Sequence, residues 1–159
     1  MADADWLREP HDAFVLAKLE AQGLRPAEEA DPTTLVRRLA LVLTGLPPAP
    51  EAVLAYAANP TPTGYAQLVE DFLESPHFGE RWARHWMDVV HYSDTHGYEW
   101  DIPAKNAWRY RDYLIRAFQH DVSFQQLALE HLAGDLIPPR IDPDTGMNEA
   151  LCGPMGLQM

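Results

Sequence analysis

SPHFGERWARHWMDVVHYSD, residues 75–94, decides the fold. It shows no sustained alternation of apolar and polar side chains, which a half-buried strand requires. Residues three or four apart share a helix face instead. Trp82, Trp86, Val89 and Val90 are the core candidates, and His85, Asp88 and His91 or Tyr92 form a second, polar stripe. The spacing predicts a helix from about Phe78 to Ser93, with Gly97 and Pro103 bracketing the loop that follows.

Working outward, proline and glycine punctuate further helices. The first is predicted from His11 to Gln22, with Phe14, Val15, Leu16, Leu19 and Ala21 on its apolar side and Gly23 at its end. A second starts near Asp31 with Pro32 in its first turn. Leu35, Leu39, Val42 and Leu43 mark its face, and Gly45 stops it. Others are predicted over Pro50–Ala58, Gly64–Glu74, Ala104–His120 and Ser123–Ala133, the last with Ser123 as N-cap. In the first of the two later helices, Trp108, Tyr110 and Tyr113 are packing candidates. The expected class is all-α: one compact orthogonal bundle of about six to seven helices over residues 1–138. Residues 139–159, rich in Pro, Gly and Asp, are expected to form an irregular tail, truncated or vector-derived, with Cys152 in it.

Composition narrows the function classes. The chain has 159 residues, 47% hydrophobic, and a formal net charge of −12. Such a charge repels nucleic-acid phosphates and anionic membranes, so neither is an expected partner. A single cysteine excludes an intrachain disulfide. The opening MADADWLREPHDAF has neither the basic nor the apolar region of a secretory signal, and no apolar run would span a bilayer. The chain reads as soluble, its compartment unspecified.

Chemistry concentrates in HWMDVVHYSDTHGYEWD, residues 85–101, with three His, three Asp and one Glu. His85, Asp88, His91, Asp94, His96 and Asp101 are the metal-ligand candidates. Mixed imidazole and carboxylate ligands suit a divalent metal, Zn²⁺ or Mn²⁺ foremost. HExxH, GxSxG, a P-loop and an EF-hand loop are all absent. Arg109 and Arg111 of AWRYRDY offer guanidinium forks for a phosphate or sulfate oxygen pair. His120, Asp121, Glu130, His131 and Asp135 form a further group, in which the helix dipole is sufficient reason for His131 near a helix end.

Several phrases stand in order: DAFVLAKLEAQGLRP, LVRRLALVLTGLPPAP, YAQLVEDFLESPHFGERWARHWMDVVHYSDTHGYEWD, AWRYRDYLIRAFQHDVSFQQL and EHLAGDLIP. Together, over about residues 10–138, they resemble the cytochrome-associated domain of unknown function found in large planctomycete proteins. The resemblance implies a place after a c-type cytochrome domain and before a second uncharacterised domain, and it implies no settled activity. The family pattern usually has Arg where this chain has His91, and the match fades after about Asn148. With no CxxCH, no covalent c-type haem is expected on this chain.

The leading expectation is a metal-dependent hydrolase acting on small phosphoesters. Metal-bound water would be the nucleophile, Glu99 a general base, and Arg109 and Arg111 stabilisers of developing charge. The alternatives are a non-enzymatic helical scaffold, whose ionisable residues form a buried network, and a carbohydrate-binding module using Trp and Tyr. A truncated copy is also expected to favour a homodimer through the surface it exposes.

Overall fold

A short polar residue followed by proline stands at three of the helix starts, Asp31-Pro32, Thr61-Pro62 and Ser75-Pro76. The computed structural model describes residues 6–157. Seven α-helices lie among them: α1 (Asp12–Ala21), α2 (Pro32–Leu43), α3 (Pro50–Ala58), α4 (Pro62–Leu73), α5 (Pro76–Val89), α6 (Ala107–Gln119) and α7 (Phe124–Ala133). A 3-10 helix follows over Glu149–Leu157, and the described residues hold no strand, only two isolated bridges. The class is all-α. None of these helices is long and apolar enough to cross a membrane. The leader reading rests partly on residues 1–5, and the predicted tail ends with residues 158–159; both stretches lie outside the described residues.

The chain divides into two units, one up to Asp31 and one from Pro32 onward. In the first, the Asp12 carboxylate accepts from the backbone N–H groups of Arg8 and Glu9 at 3.0 and 2.9 Å, fixing the start of α1. These two bonds hold the Asp12 carboxyl below its ordinary range. Arg8 pairs with Glu29 at 3.1 Å. Leu16 is fully buried, whereas Phe14, Val15 and Ala21 of the predicted apolar side are exposed.

In the second unit, Thr61, Ser75 and Ser123 cap α4, α5 and α7, each side chain accepting from a first-turn N–H. TPTG therefore opens α4, two residues before the predicted start. Helix α5 begins two residues before Phe78 and stops at Val89, four short of Ser93. It stops because His91 takes a left-handed φ of 56° and the Tyr92 N–H reaches back 2.9 Å to the Met87 carbonyl. That six-to-one bond is the Schellman closure. Helix α6 starts at Ala107 and not Ala104, after Asn106 at φ 68°.

The core cluster is Ala83, Tyr110, Tyr113, Leu114, Ala117, Leu127 and Cys152. Trp86 and Val90 pack against it, while Val89 is 77% exposed, against expectation, because it lies about a third of a turn around α5 from the Ala83–Met87–Val90 line that meets the core. In α2 the fully buried pair is Val36 and Ala40, one turn apart; Leu35, Leu39 and Leu43 are half-buried and Val42 is exposed. Tyr110 and Tyr113 are buried as expected, but Trp108 is exposed. The tail is ordered into the 3-10 helix on α7, and Cys152 is buried. Burial pushes the Cys152 thiol up.

Glycines set these approaches. A Cβ on Gly79 would stand 2.6 Å from the Ile115 carbonyl oxygen of α6, and one on Gly153 would stand 2.4 Å from the Glu130 carbonyl oxygen of α7. Backbone cannot yield as a side-chain end does. Gly79→Ala is expected to cost about 1–3 kcal/mol as an overpacking change, read from the urea midpoint. Gly153→Ala is expected to loosen the last segment, so that Cys152, slow toward a thiol reagent in the parent chain, reacts faster at equal pH.

Candidate functional site

The residues around α5 that the sequence singles out divide by position. His85 and Asp88 are exposed on α5, and the His85 ring meets the Trp82 ring edge-on at 5.3 Å between centroids. His91 is exposed at the helix end. Beyond it the chain makes a loop closed by two backbone bonds, His96 N–H to the Ile102 carbonyl at 2.9 Å and Ala104 N–H to the Asp94 carbonyl at 2.8 Å. His96, Glu99 and Asp101 are exposed on this loop. Asp94 accepts from the Tyr92 hydroxyl at 2.7 Å. Burial and that carboxylate push the Tyr92 phenol up to about 12.

Among the described residues no three His, Cys, Asp or Glu side chains are grouped to hold a metal ion. The predicted ligand set is thus not brought together: α5 ends early and the loop carries His96, Glu99 and Asp101 on an exposed turn. Asp88, His91 and Asp94 do line one open cleft with Arg84, Met87, Tyr92 and Arg111. Arg111 is engaged by its neighbour Asp112 at 3.0 Å and by no carboxylate of α5. That carboxylate raises the Arg111 guanidinium above its ordinary value. Arg109 lies over the Trp108 ring at 5.4 Å. Tyr98 and Trp100 on the loop are 85% and 82% exposed.

The buried ionisable groups lie elsewhere. Glu130 of α7 is fully buried and receives four donors. Arg140 Nε and Nη2 donate at 2.6 and 2.8 Å, the Tyr113 hydroxyl at 2.7 Å and Gln126 Nε2 at 3.0 Å. Burial pushes the Glu130 carboxyl up, but the hydrogen bonds from Arg140, Gln126 and Tyr113 outweigh it and hold it below the usual range. Burial and the adjacent Glu130 push the Tyr113 phenol far up. Glu149, also fully buried, accepts from Arg116 Nε and Nη2 at 3.1 and 2.8 Å. Its other oxygen has no hydrogen-bond partner among the described residues, and burial raises its carboxyl despite Arg116.

His131 completes this region. Its Nδ1 lies 2.7 Å from the Leu127 carbonyl, which only accepts, so Nδ1 carries the hydrogen. Nε2 then accepts from Trp86 Nε1 at 3.2 Å and from the Tyr110 hydroxyl at 2.7 Å. The histidine ties α5 and α6 to α7, a role that the helix dipole alone would not give it. The sequence did carry a signal: Leu127, Glu130, His131 and Gly134 share one face of α7, so two polar residues stand on its buried side.

The two glutamates have opposite pH signatures. Glu130 is depressed, so its stabilisation is present above the ordinary Glu value of about 4.3 and is lost as pH falls through its lower folded value. Glu149 is raised, so the stability it contributes is full below about 4.3 and is lost as pH rises through its folded value. Glu130→Gln, which strands Arg140, is expected to cost about 3–5 kcal/mol at neutral pH and to flatten the acid limb of the stability profile. Glu149→Gln is expected to cost much less at neutral pH and to remove the weakening above about pH 4.3. Urea unfolding across pH measures both.

The chain matches the family model PSCyt2, protein of unknown function (DUF1549), over residues 10–152. No curated protein and no solved structure gives a match. The match runs past the predicted limit at residue 138 and takes in the Arg140 and Glu149 pairs and the buried Cys152. With nearly its whole length covered, the chain belongs to this planctomycete cytochrome-associated family of unknown function.

Proposed function

We propose that this domain is a non-catalytic helical interaction module. One observation carries the reading: the two fully buried glutamates are spent inside the fold, in the Glu130–Arg140 and Arg116–Glu149 pairs, while the residues with ligand chemistry are exposed and not grouped to hold a metal ion. Perturbed ionisable groups mark either a site or a structural network. Here each of the two glutamates faces a guanidinium that also ties two segments together. The exposed loop supplies contact surface, with Tyr98, Trp100 and Ile102 presented beside Glu99 and Asp101. A neighbouring domain of the kind that the family resemblance implies is the proposed partner.

A second reading, metal-dependent phosphoester hydrolysis, has one observation in its favour: Asp88, His91 and Asp94 border the same cleft as Arg111. It requires these residues to regroup around a metal. One experiment separates the two readings. Desalted protein, with and without prior Zn²⁺ or Mn²⁺ loading, is taken through elemental analysis and a panel of phosphate and sulfate esters. The module reading expects metal well below one per chain and no turnover. It also expects His85→Ala and Asp88→Ala to shift stability by less than about 0.5 kcal/mol, as surface changes do. Stoichiometric metal that is lost in those variants, together with ester hydrolysis, would overturn it.

A further inference from the structure

We propose that the cleft between the end of α2, the outer face of α5 and the middle of α6 binds a small phosphate-type oxyanion, held by Arg81, Arg84 and Arg111. Two adjoining depressions share Arg84, Met87 and Arg111. One continues to Thr44, Gly45, Leu46 and Arg81 and is also lined by Glu80 and Asp112; the other opens toward Asp88, His91 and Asp94. The inner part, about 580 Å³, has room for a phosphate group bearing an organic substituent.

Arg81 is the observation that points to a ligand. Its Nε is buried, and no acceptor from the described residues reaches it. A polar N–H that leaves water without gaining an acceptor destabilises the fold that buries it. The other two guanidiniums drawn into the second unit, Arg116 and Arg140, each have a carboxylate. The acidic groups near Arg81 are engaged elsewhere: Glu80 with His77 at 3.1 Å and Asp112 with Arg111 at 3.0 Å. Arg84, one turn further along α5, likewise has no ion pair or hydrogen bond among the described residues.

The Arg81 side chain is also held in place. Gly45, at φ 73°, has bare backbone against its stem, and a Cβ there would stand 3.0 Å from Arg81 Cδ. A guanidinium fixed in this way presents its fork to paired oxygens at little further entropic cost. Phosphate oxygens match that geometry and can bridge two or three arginines. Asp88 and Asp94 at the outer rim, with the net charge of −12, disfavour a polyanion. The ligand class is therefore one phosphate group and not a nucleic-acid backbone.

The test is calorimetric titration of the full chain at constant ionic strength with inorganic phosphate, and separately with phenyl phosphate, against chloride. Saturable one-to-one binding is expected, tighter for phenyl phosphate if the ligand is an ester and for inorganic phosphate if it is the free ion. Losing a charged hydrogen-bonding partner should weaken binding about tenfold or more. Arg84→Gln, which removes no described contact, should do so without moving the unfolding midpoint. Arg81→Lys keeps the charge but loses the fork, and should weaken binding in the same direction. No heat beyond the chloride control, or unchanged affinity in Arg84→Gln and Arg81→Lys, would overturn the assignment.

Discussion

The second unit depends on one buried charge and its partner. Glu130 has no exposure, and an isolated carboxylate there would cost several kcal/mol in lost hydration. Arg140 offsets that cost only from one position, with two nitrogens on two oxygens, while Tyr113 and Gln126 take up remaining lone pairs. This requirement fixes the segment after α7 against α6 as well as α7. The Arg140 guanidinium also lies 5.7 Å from the Tyr113 ring centre. Geometry of this kind selects one arrangement of the three segments more than it adds stability, since apolar contacts would hold them as tightly.

Most of the helices were legible because their ends are written locally. Proline in a first turn, glycine at a stop and a serine N-cap need only neighbours in sequence, so α3, which opens on Pro50, and α7, capped by Ser123 and followed by Gly134, fall on their predicted limits. The faces were less legible. In α2 the sequence offers apolar residues on nearly every side, so Leu35, Leu39, Val42 and Leu43 spelled a plausible stripe, while the buried positions are Val36 and Ala40. Composition misled at the other end. Pro, Gly and Asp around residues 139–157 suggested irregular chain, yet Gly153 is there because α7 comes too close for a side chain.

The site candidates separate in space for a related reason. Density of His and carboxylate along seventeen residues does not require convergence in space. A left-handed residue at His91 turns the chain out of the helix, and the stripe on α5 and the loop then face solvent separately. Glu130 and His131 looked ordinary near a helix end, but their neighbours Leu127 and Gly134 place them on the packed face. Arg81 gave no local sign at all. Its distinction comes from Gly45, thirty-six positions earlier, and from what the other carboxylates already do.

The Arg116–Glu149 and Glu130–Arg140 pairs also order events in time. Both link a helix to chain made later, and synthesis runs in one direction. A nascent chain that has released α6 and α7, but not yet residues 140–149, carries Glu130 without its guanidinium and Arg116 without its carboxylate. Burying α7 at that stage would desolvate charges with nothing to meet them, so α6 and α7 stay loosely associated. Closure waits for the last segment and then happens in one cooperative step. Until then the nascent chain exposes apolar surface on α6 and α7, the condition under which partly made proteins aggregate or recruit chaperones.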